Sequence, residues 1–349
     1  MNFRWTIVAA LAAVLAACGA VQAEPDPPIT SEIIPVTVDN FIRAETDTYF
    51  AKVVKQRTLG DFHHNRELTP IDQQNVIRMN RDTLYSAAVF DLNAGVVTIT
   101  LPDPGERFMS MQMINQDHYC YDVVYQPGTY SFSREKYVTR YLMMAIRILV
   151  DPNKPGDLEQ VHALQNGVRI VQHGEGPGTF EIPKWEPVSQ KKVRDALIVL
   201  GSTVPDSKRM FGRPDDIDPV RHLIGTAMAW GGNPEKEATY LNVTPKQNDG
   251  KTPYRLTVKD VPVDGFWSIS VYNAKGYFEP NPQNLYTLNN LTAQKSDDGS
   301  VAVQFGGDSA KASNWLPITA GWNYIVRLYR PRQEIIDGTW KFPDPQPVK

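Results

Sequence analysis

Cysteine is nearly missing from this chain. Only Cys18 and Cys120 occur in 349 residues. Cys18 belongs to an amino-terminal leader and is lipidated or removed there, so no disulfide can form within the mature chain and the fold must stand on its core. Cys120, between Tyr119 and Tyr121, then reads as a small buried apolar residue. Metal spacings are missing as well: there is no His-x-His, His-Glu-x-x-His or Cys-x-x-Cys, and adjacent His63 and His64 point to different faces of any regular element. No phosphate-cradling Gly loop, nucleophile elbow or lactamase-type Ser-x-x-Lys set is present, so the sequence implies no cofactor, no metal and no familiar hydrolase. A basic run is absent too, and a net charge of -3 with pI near 6.1 excludes the electrostatic footprint of a nucleic-acid binder.

One long apolar run exists, and it is amino-terminal. Met1–Arg4 give a short positive end, and Trp5–Ala17 an Ala/Leu/Val-rich core too short for a stable membrane span. Two cleavage patterns overlap there. Leu15-Ala16-Ala17-Cys18 has the form of a bacterial lipobox ending at Cys18, and Val21-Gln22-Ala23 that of ordinary signal cleavage. Residues 1–23 are therefore expected to be an export signal. The mature protein is expected in the periplasm, in the outer membrane as a lipoprotein, or outside the cell. Its one membrane contact is then a lipid on Cys18. Residues 24–36, beginning EPDPPIT, form a Pro-rich tether.

Composition is that of an ordinary globular protein, 42% hydrophobic and 21% charged, with 27 Pro and 23 Gly spread along the chain. Such frequent turn residues suit many short strands better than a helical bundle. The expected class is mainly β with helical segments: two β-sandwich or jelly-roll-like domains, 37–185 and 241–349, joined by a helical connector over 186–240. Thr37 is placed to cap a helix to about Arg57 with Glu45 on its apolar stripe. Ala87–Leu92, Val96–Leu101, Phe108–Ile114 and Tyr119–Tyr125 read as an antiparallel meander. In the connector, Ser189 caps one expected helix, a second lies between Pro205 and Gly212, and Asp218-Pro219 opens a third. From Tyr254 the pattern is β again, with Ser268, Ser270 and Tyr272 on one face of a strand and Trp267, Ile269 and Val271 on the other.

The densest chemistry lies between Asn75 and Tyr125, where charged, amide and aromatic side chains interrupt apolar strands. Buried, these groups must be paired or hydrogen-bonded, because an unpartnered charge costs several kcal/mol. Asp82, Asp117 and His118 are the candidate acid–base residues. Arg78, Asn80, Arg81, Tyr85, Gln112, Tyr272, Arg327 and Tyr329 are the candidate ligand-binding set. The meander is expected to bring Arg81, Asp82, Tyr85, Asp117 and His118 together in one partly buried polar site at a sheet edge. The aspartate would then raise the proton affinity of His118.

With these residues in view, the chain resembles bacterial proteins that carry two paired domains of unknown function, numbered 1254 and 1214. NFIRAETDTYF, VIRMNRDTLYS with VFDL, ITLPDPGERFMSMQMINQDHY and RILVDP are similar to the amino-terminal domain. GFWSISVYN, DDGSVAVQF, NWLPI, IVRLYRP and DGTW are similar to the carboxy-terminal one. The resemblance implies β-sandwich-rich architecture with helices between, and no settled activity. Three function classes are consistent with it: binding of a small polar or sugar-like ligand in a cleft between the β domains, lyase or hydrolase chemistry by the carboxylate and histidine set, and a structural envelope lipoprotein.

Overall fold

The computed structural model describes residues 32–74 and 77–348; the leader, Cys18 and most of the Pro-rich tether lie outside them. The molecule is mainly β. Its amino-terminal unit contains helix α1 (Phe41–Gln56) and strands β1 (His63–His64), β2 (Thr83–Asp91), β3 (Val97–Leu101), β4 (Met109–Asn115), β5 (Cys120–Val124), β6 (Gly128–Phe132) and β7 (Tyr141–Leu149). Helix α2 (Asp157–Gly167) and strand β8 (Arg169–Gln172) complete it. Helices α3 (Pro187–Gly201) and α4 (Pro219–Met228) come next. The carboxy-terminal unit then contains β9 (Ala238–Val243), β10 (Tyr254–Val258), β11 (Trp267–Tyr272), β12 (Thr287–Asn289), β13 (Val301–Phe305), β14 (Trp315–Leu316), β15 (Asn323–Tyr329) and β16 (Gln346–Pro347).

Each unit is a sandwich. In the first, a five-stranded sheet of order β1-β2-β7-β4-β5 covers a three-stranded sheet, β6-β3-β8. Alternation decides what lies between them: Leu84, Ala88, Phe90, Met111, Met144 and Ile146 from one sheet meet Val97, Ile99 and Phe132 from the other. In the second unit the sheets β9-β15-β11-β12 and β14-β13-β10-β16 enclose Val303, Phe305, Trp322, Ile269 and Val326. Full burial of each such side chain contributes roughly 1.5–3 kcal/mol.

The expected meander is corrected by the strand order. β3 leaves the sheet of β2 and pairs with β6 and β8, while β2 and β4 lie on either side of β7 and are both antiparallel to it. β2 and β4 therefore run parallel to each other. Residues before β2 and residues after β4 stand at opposite ends of the sheet: Thr83 is level with Leu149, and Asn115 with Leu142. Seven residues of strand separate those levels, or about 20 Å.

The helices differ from expectation at their starts. α1 is capped at Asn40, not Thr37, whose hydroxyl instead accepts from the Asp39 N–H at 3.3 Å. α3 begins after Glu186, whose carboxylate accepts from the N–H groups of Val188 and Ser189; Pro187 occupies its first position. Ser189 Oγ is used elsewhere, accepting from Val36 N–H at 2.9 Å. No helix forms between Pro205 and Gly212, where the backbone is turns. α4 is capped by Asp218 with Pro219 next, as the sequence indicates. Glu45 on α1 is buried and paired with Arg194 of α3, as a carboxylate on an apolar stripe requires.

The outer face of the five-stranded sheet is covered by two different neighbours. Near Asn115 it lies under α1 and Trp230, with Phe50, Val89, Tyr141 and Met143 in contact. Near Thr83 it faces the carboxy-terminal unit, where Leu149, Ala238, Phe266 and Tyr329 pack together. The second contact forms the candidate site.

Candidate functional site

Tyr141–Val150 is an apolar run broken by a single charge, Arg147. Period-two alternation sends Leu142, Met144, Ile146 and Ile148 into the sandwich and therefore Arg147 to the outer face. There Tyr85 of β2 is its cross-strand partner on one side and Ser110 of β4 on the other. Arg147 Nη1 donates to Gln112 Oε1 at 2.7 Å, Nη2 to Gly231 O at 3.4 Å, and the guanidinium lies 5.4 Å over the Tyr85 ring. Gln112 Nε2 donates to Gly232 O at 2.9 Å, so the Gly231-Gly232 pair after α4 closes over both side chains.

The facing sheet repeats the pattern. Arg327 on β15 has Tyr240 of β9 as cross-strand partner on one side and Ser268 of β11 on the other. Its guanidinium donates to Ser270 Oγ at 2.8 Å, Tyr272 Oη at 2.7 Å, and the carbonyls of Arg78 and Met79 at 2.8 and 3.2 Å. Arg78 takes φ of 52°, a left-handed conformation that costs a non-glycine residue about 1–2 kcal/mol, and in it the carbonyl meets Arg327.

Asn80 ties the two halves together. Its Nδ2 donates to Tyr329 Oη at 3.0 Å and to Tyr85 Oη at 3.2 Å, and its Oδ1 accepts from the Asp82 N–H at 2.7 Å. Asp82 Oδ1 accepts from Thr287 Oγ1 and Asn289 Nδ2, both at 3.1 Å. Its Oδ2, Ser268 Oγ and Arg78 Nε are buried without a partner.

Neither Arg147, 9% exposed, nor Arg327, 3% exposed, has a carboxylate at ion-pair distance among the described residues. Burial opposes their charge, yet both are held above the ordinary arginine range, Arg147 by Tyr85, Tyr240 and Tyr329, and Arg327 by Tyr272, Tyr329 and the field of the Asp82 carboxylate. Burial in turn raises the phenols of Tyr240, Tyr272 and Tyr329, so these stay protonated hydrogen-bond donors at neutral pH. Tyr240 and Tyr329 lie within the fields of both guanidiniums. Tyr85 and Tyr240 are half-buried.

The expected meeting of Arg81, Asp82, Tyr85, Asp117 and His118 does not occur. Asp82 and Tyr85 belong to the layer, with Arg78, Asn80, Gln112, Tyr272, Arg327 and Tyr329. Arg81 turns away, donating to Thr69 O and lying 5.4 Å over the Tyr286 ring. Asp117 and His118 are at the far end of the sheet. Asp117 pairs with Arg43 at 2.6 Å. His118 Nδ1 lies 2.8 Å from Thr226 Oγ1, its Nε2 accepts from the Gly231 N–H at 2.8 Å, and its ring stacks at 5.2 Å on Trp230. Its proton affinity is lowered, not raised: burial dominates, and His222 adds to it. Both ring nitrogens are engaged within the protein. Arg147, Tyr240, Ser268 and Asn289 complete the layer, and sequence reasoning misses them. The lone Arg in an apolar run is the usable signal for the first of them.

Among the described residues no group of three or more His, Cys, Asp or Glu could hold a metal ion, and no helix is long and apolar enough to cross a membrane. Two β-sandwiches facing each other across a buried arginine and tyrosine layer define the class of this protein. Residues 59–172 match the model of the protein of unknown function DUF1254 and residues 238–333 that of DUF1214; the chain carries both domains in that order. A crystal structure from Vibrio parahaemolyticus shares the fold, with a TM-score of 0.70 at 17% identity over 89% of this chain and 98% of that one. An uncharacterized protein from Burkholderia cenocepacia is similar at 0.50 and 13%, over 89% and 87%. No curated protein matches the chain.

Proposed function

We propose that the protein binds a small hydroxylated organic acid in the layer between its two β units. The observation that supports this is the arginine pair: two buried guanidiniums on facing sheets, each bonded to neutral acceptors and neither in contact with a carboxylate. Neutral hydrogen bonds leave the positive potential of the pair offset only in part, by the field of Asp82 at Arg327, and in a site of low dielectric the remainder favours an anion. A carboxylate at the guanidiniums is shielded by the layer, while Tyr85, Tyr240 and Ser268 supply hydroxyls for the rest of a sugar-acid-like molecule. The expected acid–base set is divided, with Asp82 about 20 Å of strand from Asp117 and His118.

A thermal-shift screen of hydroxylated carboxylates, the corresponding neutral sugars and phenols tests the reading. Carboxylates are expected to raise Tm in a concentration-dependent way, and Arg147→Met to remove the shift. Equal response to neutral sugars, or no response to any acid, would favour a purely structural layer.

We also propose export to the envelope, on the leader and the overlapping Cys18 and Ala23 cleavage patterns. Intact mass of protein from the envelope fraction should show a chain starting at lipidated Cys18 or at Glu24; retention of Met1 there defeats both versions.

A further inference from the structure

The opposite face of the sheet that carries Arg327 holds a second feature. Alternation along β15 turns Tyr324, Val326 and Leu328 away from the arginine layer, and on β9 the paired residues Val243, Leu241 and Thr239 share that side. β9 faces the end of the short helical turn Gln333–Ile336 and the irregular segment 337–344 that follows it. A hollow of about 410 Å³ lies between them, within the range of small-molecule pockets. Leu241, Val243, Val326 and Leu328 line one side, and Trp340 and Phe342 the other. From Tyr324 to Leu328 the strand runs about 13 Å, so the hollow is an elongated trough.

Two polar groups in its lining have no partner. Tyr324 Oη and Glu235 Oε2 are both buried and unbonded. They belong to opposite ends of the trough: Tyr324 pairs with Val243 at the start of β15, while Glu235 precedes Ala238, which pairs with Tyr329 at its end. A carboxylate oxygen can only accept, so its missing partner is a donor. The other charged lining residues are Asp206, paired with Arg221, Asp344, Lys341, and Lys208, whose Nζ donates to Ile336 O at 3.2 Å.

We propose that this trough binds a linear aliphatic amine, the ammonium at Glu235 and the chain along Leu241 and Val326 beneath Trp340 and Phe342. An apolar chain satisfies the walls, and a cationic donor satisfies the buried Oε2 of half-buried Glu235; a fatty acid with its head at that end would set a second carboxylate against Glu235. The site is separate from the arginine layer, which lies across the sheet.

The test is calorimetric titration of the full mature chain at pH 7.5 with decylamine and decanoate, both below their micelle concentrations. Decylamine is expected to bind one per chain and at least tenfold tighter than decanoate. Glu235→Gln should weaken it about tenfold, and Leu241→Trp, which fills the trough from a half-buried position, should abolish it with the circular dichroism spectrum unchanged. Arg147→Met should leave decylamine affinity intact, so failure here and failure of the organic-acid reading are told apart. Decanoate binding as tightly as decylamine, no saturable binding, or unchanged affinity in Glu235→Gln overturns the proposal.

Discussion

Arg147 and Arg327 hold the same position in two facing sheets, each with a tyrosine across one neighbouring strand and a serine across the other. Their support differs. Arg147 has one strong bond, to Gln112, and a long one to Gly231 O, whereas Arg327 has four.

That difference predicts unequal costs of removal. Arg147→Met removes the cost of burying a charge without a carboxylate partner and leaves Gln112 Oε1 as the main acceptor without a donor, two effects of opposite sign. Arg147→Met is therefore expected to change stability by no more than about 1 kcal/mol. Arg327→Met removes four bonds and leaves the Arg78 carbonyl without a donor, while Met79 O keeps Tyr272 Oη and Ser270 Oγ keeps Thr287; it should cost roughly 1–3 kcal/mol, more than Arg147→Met. Urea denaturation of the two variants checks the order, and a larger loss for Arg147→Met would contradict it.

Stability should fall in mild acid. The unfolded histidine pKa is about 6.5. Burial depresses that of His118 well below this and that of His64 to about 4. Below pH 6.5 the unfolded chain takes up protons that the folded chain does not, so this stability is complete above pH 6.5 and is lost as pH falls, by up to about 1.4 kcal/mol per pH unit for a fully buried group. Asp47 opposes the trend: burial raises it to about 6, so the folded chain binds the extra proton between pH 6 and 3.8. His118→Asn, tolerable at φ of 61°, should flatten the loss between pH 6.5 and 5, and Asp47→Asn should steepen it. Melting curves at stepped pH read both, and parallel curves for wild type and His118→Asn would refute the assignment.

Asp117 should prove separable from the layer. Its pair with Arg43 is partly exposed, and such pairs contribute at most about 1 kcal/mol. Asp117→Asn is expected to cost less than that and to leave every carboxylate-induced thermal shift intact. Loss of the shift would bring Asp117 back as a site residue.

The two β units should unfold together. Phe108 meets Phe266 at 5.0 Å and Tyr329 at 5.4 Å across the junction, and Asn80 bonds Tyr329 there as well. Limited proteolysis is expected to leave one large core, and calorimetry one transition; two stable fragments would contradict this.

Strands and their faces are legible in the sequence wherever alternation is clean, as in Met109, Met111 and Met113 or Trp267 to Tyr272. Strand order is not, because local pattern does not reveal that β3 changes sheets, and the misplacement of His118 comes from that one error. The strand Ala238–Val243 straddles the expected boundary at 240, so its first half falls to the connector; Thr and Asn dilute the apolar signal, and Tyr240 is lost with it. Arg147 is hidden for the opposite reason. Nine apolar neighbours between Tyr141 and Val150 make the run look like plain core.

The most direct test is a calorimetric titration with an acid that passes the thermal screen and with its neutral amide, on wild type and Arg147→Met. The acid is expected to bind wild type at least tenfold more tightly than the amide does, and the preference to disappear in Arg147→Met, because the guanidinium recognises the negative charge. An amide that binds as well as the acid, or a variant that keeps the preference, would contradict an anion site between Arg147 and Arg327.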